Sequence, residues 1–493
     1  MPKFEIPEGW TAQAYRFALD LTPSQRRAFR SHAGGARKAY NTMLALVKAV
    51  MGQRAAERSY GIAGKDLTPA VSWSLAGLRK NWNGRKDIVA PWWEQNGKEA
   101  YNTGLDALAR GLDAWSKSRT GERAGRPSGF PKFKSAKSRR SVRFTTGAIR
   151  VEPDRHHVTL PRLGKLKAHE STRKLARRVE AGTARILSAT LSEDSAGRHH
   201  VSFQVLVKRS AAVPAHAGLA EPVVGVDVGV KEDSLMVAAT PDGREIKRVP
   251  APKSLTAAQG RLRALQRKAA RQQGPYDPET RTRRRPSKRW EKTSRRVGRT
   301  HAHAAAIRRD VLHKETTALA RRHEVITVET LNASGMRSAG GACKKGLNRA
   351  LSDAALAETR RMLSYKCTWY GSALVEADRY FPSSKLCSGC GGRKPSLTLA
   401  DRTYECDHCG LVLDRDLNAS VNLARLGERL RTGATGTGTG SSPAASHRAG
   451  DGRGATRETA TTKVVNAAGR ETSTRHDDTV GKTGTAPSQG EAA

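Results

Sequence analysis

The sequence predicts a multidomain α/β protein. It reads as a small antiparallel β-barrel interrupted by helices, then an α/β half carrying a zinc ribbon, then a disordered tail. Three observations predict this. Between Val142 and Val207, short runs alternate apolar with polar residues. From Val223 onward, strand-like runs alternate with long helical stretches. Finally, Cys387-Ser-Gly-Cys390 and Cys406-Asp-His-Cys409 form a CxxC–x15–CxxC array, the spacing of two knuckles that each give two sulfurs to one tetrahedral Zn²⁺.

At the front, Tyr15-Arg-Phe17-Ala-Leu19-Asp-Leu21 alternates as a half-buried strand does. Thr22-Pro23-Ser-Gln25 supplies an N-cap, a proline at N1 and a glutamine at N3. It opens a helix running towards Met51 with Ala39, Leu44 and Val47 on its apolar side. A second helix is marked by Tyr101, Leu105, Leu108, Leu112 and Trp115 at 4-3-4-3 spacing, a stripe that suits helix packing better than a cofactor. The stretch 119–140 is a basic loop broken by Gly and Pro. In it Arg126, Lys132 and Lys134 interleave with Phe130 and Phe133, which suits a phosphate backbone with stacked bases and equally a solvated surface loop.

The strands Val142/Phe144, Ile149/Val151, Val158/Leu160, Ile186/Ser188/Thr190 and Val201/Phe203/Val205/Val207 follow. Turn signals at Glu152-Pro-Asp154 and Asp194-Ser-Ala-Gly197 divide some of them. With the first strand they predict a barrel over 1–209, interrupted by the helices of about 23–135. The Ala/Pro-rich stretch 210–222 reads as a linker.

The second half opens on Val223-Val-Gly-Val-Asp227-Val-Gly229, an apolar strand ending in an aspartate and a glycine. Leu235–Thr240 and an Asp242-Gly243 turn continue a meander. The stretch 254–322 is helical and basic. Within 281–300 ten positions are Lys or Arg, Arg283, Arg284, Arg285, Lys288 and Arg289 among them, and Glu291 is the one acid. Because this run lies between two core strands, it reads as a basic helical hairpin against nucleic acid rather than a solvated tail. A strand at Val325–Glu329, a helix over about 348–371 and a strand at Leu374–Ala377 complete a core at 223–379. The ribbon takes 380–413 and a closing helix 414–430. The stretch 431–493 has no Leu, Ile, Met, Phe, Tyr, Trp or Cys and is expected to be disordered.

Lys and Arg number 88 against 46 Asp and Glu in 493 residues, a net charge of +42. That excess points to a polyanionic partner, nucleic acid before an anionic membrane. No amphipathic anchor, signal-like leader or run of transmembrane length accompanies it, so no membrane partner is expected. Four of six cysteines sit in the ribbon, leaving Cys343 and Cys367. Two disulfides are the alternative to zinc, but nothing else suggests an oxidising compartment, and a cytoplasmic setting is expected.

Three acids stand at comparable places: Asp227 and Glu329 at strand ends, Asp416 at a helix start. Carboxylates converging from separate segments are what a two-metal phosphodiester-cleaving site needs, and hard Mg²⁺ prefers oxygen ligands. Asp414 competes with Asp416 for the third position. Asp416 is favoured because Asp416-Leu-Asn418-Ala opens the helix, with Asn418 and Asn422 on one face.

Gly225-Val-Asp227-Val-Gly229-Val-Lys231, Val328-Glu329-Thr330-Leu331-Asn332 and Asp414-Arg-Asp416-Leu-Asn418-Ala-Ser-Val-Asn422 resemble the three RuvC-like motifs of the TnpB family, insertion-sequence proteins ancestral to miniature type V CRISPR effectors. Leu351-Ser-Asp353-Ala354, Tyr365-Lys366, Tyr370-Gly371 and Phe381-Pro-Ser-Ser-Lys385-Leu-Cys387 are similar to signatures of that family, as are Tyr15-Arg-Phe17…Thr22-Pro23…Gln25 and Gly129-Phe-Pro-Lys-Phe-Lys134. The likeness covers about 14–427, is looser over 54–95, and departs at Thr330, where the family often has a second acid.

The resemblance implies an RNase H-like (RuvC) nuclease core with an inserted zinc ribbon, preceded by a wedge barrel with a helical recognition insertion. It implies Asp227, Glu329 and Asp416 as catalytic Mg²⁺ ligands, with Cys387, Cys390, Cys406 and Cys409 on a structural Zn²⁺. It further implies a guide RNA from the element's own 3′ end and a double-stranded DNA target with a short flanking motif. Asp353 is expected to be a helix-capping or structural acid. The leading expectation is an RNA-guided, metal-dependent DNA endonuclease encoded by a transposable element. A catalytically idle DNA-binding regulator, a transposase accessory protein and a miniature CRISPR effector stand as alternatives.

Overall fold

The alternation read at the front builds an all-antiparallel sheet. Its strands are β1 (Trp10–Asp20), β2 (Ser141–Phe144), β3 (Arg150–Val151), β4 (His157–Leu160), β5 (Gly164–Ala168), β6 (Ala184–Glu193) and β7 (His199–Lys208), in spatial order β2-β6-β7-β1-β5-β4-β3. The computed structural model describes residues 5–209, 221–279, 282–283, 286–338, 344–398, 400–433, 463–465 and 471–473. Phe17, Phe144, Leu160, Leu166 and Phe203 gather into one core, so the sheet curls around it. Among the described residues no ladder joins β2 to β3, and the expected barrel is a curled sheet that does not close. β5 escaped the sequence reading because Lys165 and Lys167 dominate it, yet Leu166 and Ala168 between them are buried.

Helices α1 (Pro23–Ser59), α2 (Leu75–Asn83), α3 (Lys86–Val89) and α4 (Lys98–Arg119) interrupt this sheet. α1 starts at the expected capping box, Gln25 N donating to Thr22 Oγ1 (3.3 Å) and Thr22 N to Gln25 Oε1 (3.0 Å). It runs a further two turns beyond Met51. The stripe of α4 packs Leu105, Leu108 and Leu112 against Met43, Leu44 and Leu78, so it is core. Gly104 lets α4 and α1 touch backbone to backbone, for a Cβ there would lie 1.9 Å from Ala36 O. Gly104→Ala is therefore expected to cost about 1–3 kcal/mol, read as a fall of several degrees in Tm. A parent-like Tm would mean that the two helices part without cost. A short helix, α5 (Arg173–Glu180), precedes β6.

The second sheet begins with the expected meander, β8 (Val223–Val228), β9 (Met236–Ala239) and β10 (Glu245–Val249). Next come α6 (Ser254–Ala257), α7 (Gln259–Arg271), a backbone hairpin of β11 (Tyr276–Asp277) and β12 (Thr282–Arg283), and α8 (Lys288–Arg322). Then follow β13 (Val325–Glu329), α9 (Ala333–Ser338), α10 (Lys345–Ala354), α11 (Leu356–Tyr370) and β14 (Ala373–Ala377). The ribbon hairpin is β15 (Thr403–Glu405) and β16 (Val412–Asp414), and α12 (Arg415–Thr432) leaves it. β13 lies parallel to both β8 and β14, while β8, β9 and β10 are antiparallel.

By contacts the chain divides into Met1–Ser210 with Arg263–Thr300, and Ala211–Leu262 with His301–Ala493. The basic stretch expected as one hairpin over 254–322 is thus shared between the two units. Arg284, Arg285, Cys343 and most of 210–222 and 431–493 lie outside the described residues, and of Arg283 only the backbone is described. Within the stretch expected to be disordered, the backbones of β17 (Lys463–Val465) and β18 (Glu471–Ser473) extend the second sheet at β14. Backbone ladder bonds need no apolar side chains, which is why composition did not point to these strands. No helix among the described residues is long and apolar enough to cross a membrane.

Several motif residues serve this frame. Buried Lys366 donates from α11 to His313 O (2.7 Å), Thr316 Oγ1 (2.6 Å) and Thr317 Oγ1 (2.8 Å) on α8, and burial pushes its ammonium down to about 8. Asp353 accepts from Leu255 N and Thr256 N, both 3.1 Å, so it caps α6. Thr330, at the departure from the family pattern, donates to Ala377 O at 2.5 Å and ties the ends of β13 and β14 together.

Candidate metal and carboxylate site

β8 and β13 are adjacent parallel strands, so Asp227 and Glu329 emerge at the same end of the sheet. α12 brings the third acid. It lies directly on β8, because a Cβ at Gly225 would fall 2.0 Å from Ser420 O and 2.3 Å from Ala424 N. Ser420 Oγ also donates to Val237 O on β9 at 2.9 Å. The first turn of α12 is thereby held where Asp416 joins the two strand-end acids.

The two candidates for the third position have different work. Asp414 is the N-cap of α12, its Oδ1 accepting from Asp416 N and Leu417 N at 3.0 Å each and from Arg248 at 3.1 Å. Against the upward push of burial, the Leu417 amide and the Arg248 guanidinium hold its carboxyl below the usual range. Asp416 faces inward, 8% exposed, and its Oδ2 takes Lys231 Nζ at 2.5 Å and Ser234 Oγ at 2.7 Å.

Charge is the property that unites the three. Burial first, then the Glu329 and Asp416 carboxylates, push Asp227 well above the ordinary carboxylate range, with Lys231 opposing. Burial raises Glu329 too, opposed by a hydrogen bond from Ser383 Oγ to its Oε1 and by the Arg415 charge. A buried carboxyl raised by two neighbouring carboxylates marks a site short of positive charge, which a hard divalent cation would supply. The residues present fit such an ion by donor chemistry. Sequence reasoning missed the three side chains that touch the acids, Lys231, Ser234 and Ser383. Lys231 and Ser383 lie within quoted motifs and Ser234 just beyond one, but the motifs gave none of them a role.

The ribbon fits zinc. Among the described residues, the four Sγ atoms of Cys387, Cys390, Cys406 and Cys409 are the one set of potential metal ligands lying within 4.8 Å of one another. Cys387–Cys409 and Cys390–Cys406 stand 3.5 and 3.6 Å apart. Sulfurs ~2.3 Å from a shared tetrahedral ion would sit about 3.8 Å apart. A disulfide needs ~2.05 Å. Amides of Gly389, Gly392 and His408 point at Cys387, Cys390 and Cys406 at 3.3–3.4 Å. Such N–H···S bonds stabilise thiolate, and those from the Cys409 and His408 amides help bring Cys406 down to about 6. Cys367 is buried and its thiol is pushed up to about 12.

Of the basic-loop residues, Arg126, Lys132 and Phe133 are exposed, Phe133 by 53%. Phe130 instead packs edge-on to Trp115 (ring centroids 4.9 Å apart) within the helical core. Lys134 is half-buried over the Tyr40 ring (4.0 Å), its backbone clamped by Asn41 at both N (2.8 Å) and O (2.9 Å). The chain thus turns both towards its own helices. Lys288 and Arg289 are exposed at the start of α8. A basic cleft of about 790 Å³ in the first unit went unread. Arg16, Arg30, Lys137, Arg139, Arg140 and Arg295 line it against three carboxylates. Its cations come from distant stretches of the chain, so no local run revealed it.

Family comparisons agree with this layout. Residues 357–423 match the "Cas12f1-like, TNB domain", 203–339 a "Probable transposase" model and 11–54 a "Helix-turn-helix domain" of that group. A Mycobacterium tuberculosis H37Rv protein named "Putative RNA-guided DNA endonuclease" is 40% identical over 442 residues, covering 87% of this chain and 89% of that protein. The chain belongs to the TnpB family. A second TnpB-family relative, Escherichia coli K12 "Putative RNA-guided DNA endonuclease InsQ", is 27% identical over 84% of this chain and 92% of its own length. Among solved structures, a Cas12f1–sgRNA–target DNA complex aligns at TM-score 0.42 and 12% identity, covering 85% of this chain and 99% of that one.

Proposed function

We propose that this TnpB-family chain is an RNA-guided DNA endonuclease of a transposable element that hydrolyses phosphodiester bonds at Asp227, Glu329 and Asp416. The observation that carries the reading is the placement of these three acids, close enough that Glu329 and Asp416 raise the Asp227 carboxyl. Asp227 and Glu329 stand at the same end of the parallel strands β8 and β13, and Asp416 at the start of the helix packed on β8. The order β10-β9-β8-β13-β14, antiparallel first and then parallel, supports an RNase H-like core. Asp227, Glu329 and Asp416 would hold Mg²⁺, which supplies an activated water and charge stabilisation for the leaving 3′ oxygen. Asp416 is oriented by Ser234, and Lys231 balances its charge until the cation arrives.

The excess of cations supports a polyanionic partner, and the relatives' names support a guide RNA and a DNA target. The basic cleft and the exposed Phe133 are the surfaces on which RNA or DNA would lie. Phe133→Ala should weaken RNA affinity by ~5- to 150-fold, the equivalent of one lost base stack of ~1–3 kcal/mol, with Tm unchanged. Phe130→Ala should instead lower Tm by opening a void beside Trp115. Equal RNA affinities in parent and Phe133→Ala would remove that residue from the interface.

The reading as a whole is tested by expressing the protein with its native downstream DNA and sequencing the RNA that co-purifies. One species with a 3′ end past the element boundary, directing Mg²⁺-dependent cutting of a matching plasmid, is expected. A heterogeneous mixture of cellular RNA that directs no cutting would overturn it.

A further inference from the structure

Two faces of α12 do different things. Asp416 and Ser420 face the sheet, while Asn418, Asn422 and Arg425 grip the first zinc knuckle. Leu386, next to the zinc ligand Cys387, gives its carbonyl to Asn418 Nδ2 (2.7 Å) and Asn422 Nδ2 (2.8 Å). Ser388 N, on the other side of that ligand, donates to Asn418 Oδ1 at 2.9 Å, and Ser388 O accepts from Arg425. Asn422 Nδ2 also holds Ser383 O at 2.8 Å, and the Ser383 hydroxyl donates to Glu329 Oε1. Ser383, Asn418 and Asn422 are 2%, 0% and 6% exposed, so water does not substitute for these bonds.

We infer that Ser383 is a positioning residue through which the zinc knuckle fixes Glu329 for the divalent cation. The knuckle thus steadies two of the three acids, Asp416 through α12 and Glu329 through Ser383. Asp227 stands on β8, which the network does not reach. The ribbon is then an orienting support of the carboxylate site as well as a folded unit of its own. This rests on the nuclease reading above.

The test uses the full chain, with zinc content by elemental analysis, Mn²⁺ affinity by electron paramagnetic resonance, and cleavage and DNA binding with the co-purified RNA. Asp227→Asn defines the Mn²⁺ signal that belongs to the acids. Ser383→Ala is expected to keep its zinc and its DNA affinity and to melt only a few degrees lower, yet to weaken Mn²⁺ binding by ~10-fold and to lower the cleavage rate similarly, with Ser383→Thr restoring most of both. Cys409→Ser, at an exposed ligand, should weaken Mn²⁺ binding as well. In the Cys409→Ser background Ser383→Ala should then add less than about 2-fold, because the two act along one path. Parent-like Mn²⁺ affinity and rate in Ser383→Ala would overturn the inference, as would losses that multiply in the double variant. A parent whose Mn²⁺ binding is indifferent to Asp227→Asn would instead overturn the nuclease reading, and this inference with it.

Discussion

Asp227→Asn should lose cleavage by on the order of 10³-fold or more while RNA-dependent DNA binding persists. Asparagine keeps the shape of the side chain but withdraws the charge a cation needs at the end of β8. The loss should appear in the rate at saturating DNA, since no other part of the nucleic-acid surface changes. Stability should move the other way. The Asp227 carboxyl is held above its unfolded value by burial and by Glu329 and Asp416, so folding favours its protonated form. Its stabilising contribution is complete below the unfolded carboxylate range and is lost as pH rises through the raised folded value. Without divalent ions, the variant should thus melt higher than the parent at neutral pH, and the gap should close on acidification. Millimolar Mg²⁺ should reverse the order, because it stabilises the parent alone. A variant that cuts like the parent would remove Asp227 from the chemistry.

What the sequence made legible follows from how local each signal is. The Thr22–Gln25 cap, the α4 stripe and the cysteine spacing are patterns within a few turns of chain, and each was readable directly. The strand ends at Asp227 and Glu329 and the helix start at Asp416 were readable in the same way, whereas their joint role was expected from the family resemblance. The partners of those acids were not visible. Ser383 reaches Glu329 across 54 positions and Lys231 reaches Asp416 across 185, and a serine or lysine carries no local sign of such a contact. Phe130 and Phe133 show the same limit in reverse. Three residues apart in one basic loop, they read alike, yet Trp115 captures the first and the second stays exposed. The basic cleft needed β1, α1, the loop before β2, and α8 to be assembled before its cations could be seen as one surface.

Replacing the buried ligand Cys387 by serine should empty the ribbon of zinc and cost cleavage by roughly 100-fold or more. The ribbon's own core is little more than Cys387, Tyr404 and Cys406 with Leu397 and Leu411 against them. So small a cluster cannot hold two knuckles together, and the metal must supply the folding energy. Once the knuckle opens, Asn418 loses Leu386 O and Ser388 N, Asn422 loses Leu386 O and Arg425 loses Ser388 O. Buried polar groups left without partners cost ~1–3 kcal/mol each, so α12 and its Asp416 should loosen with the ribbon. The expected results are zinc content falling from about one per chain to near zero, new proteolytic cuts within 380–413, and lost activity in a chain whose first unit melts as before. Cys367→Ser, at a buried thiol outside the ribbon, should leave zinc content unchanged. If Cys387→Ser kept its cleavage rate after its zinc was gone, the ribbon would be a separate module hung beside the carboxylates. The bonds from Asn418 and Asn422 would then be packing, with no bearing on where Asp416 stands.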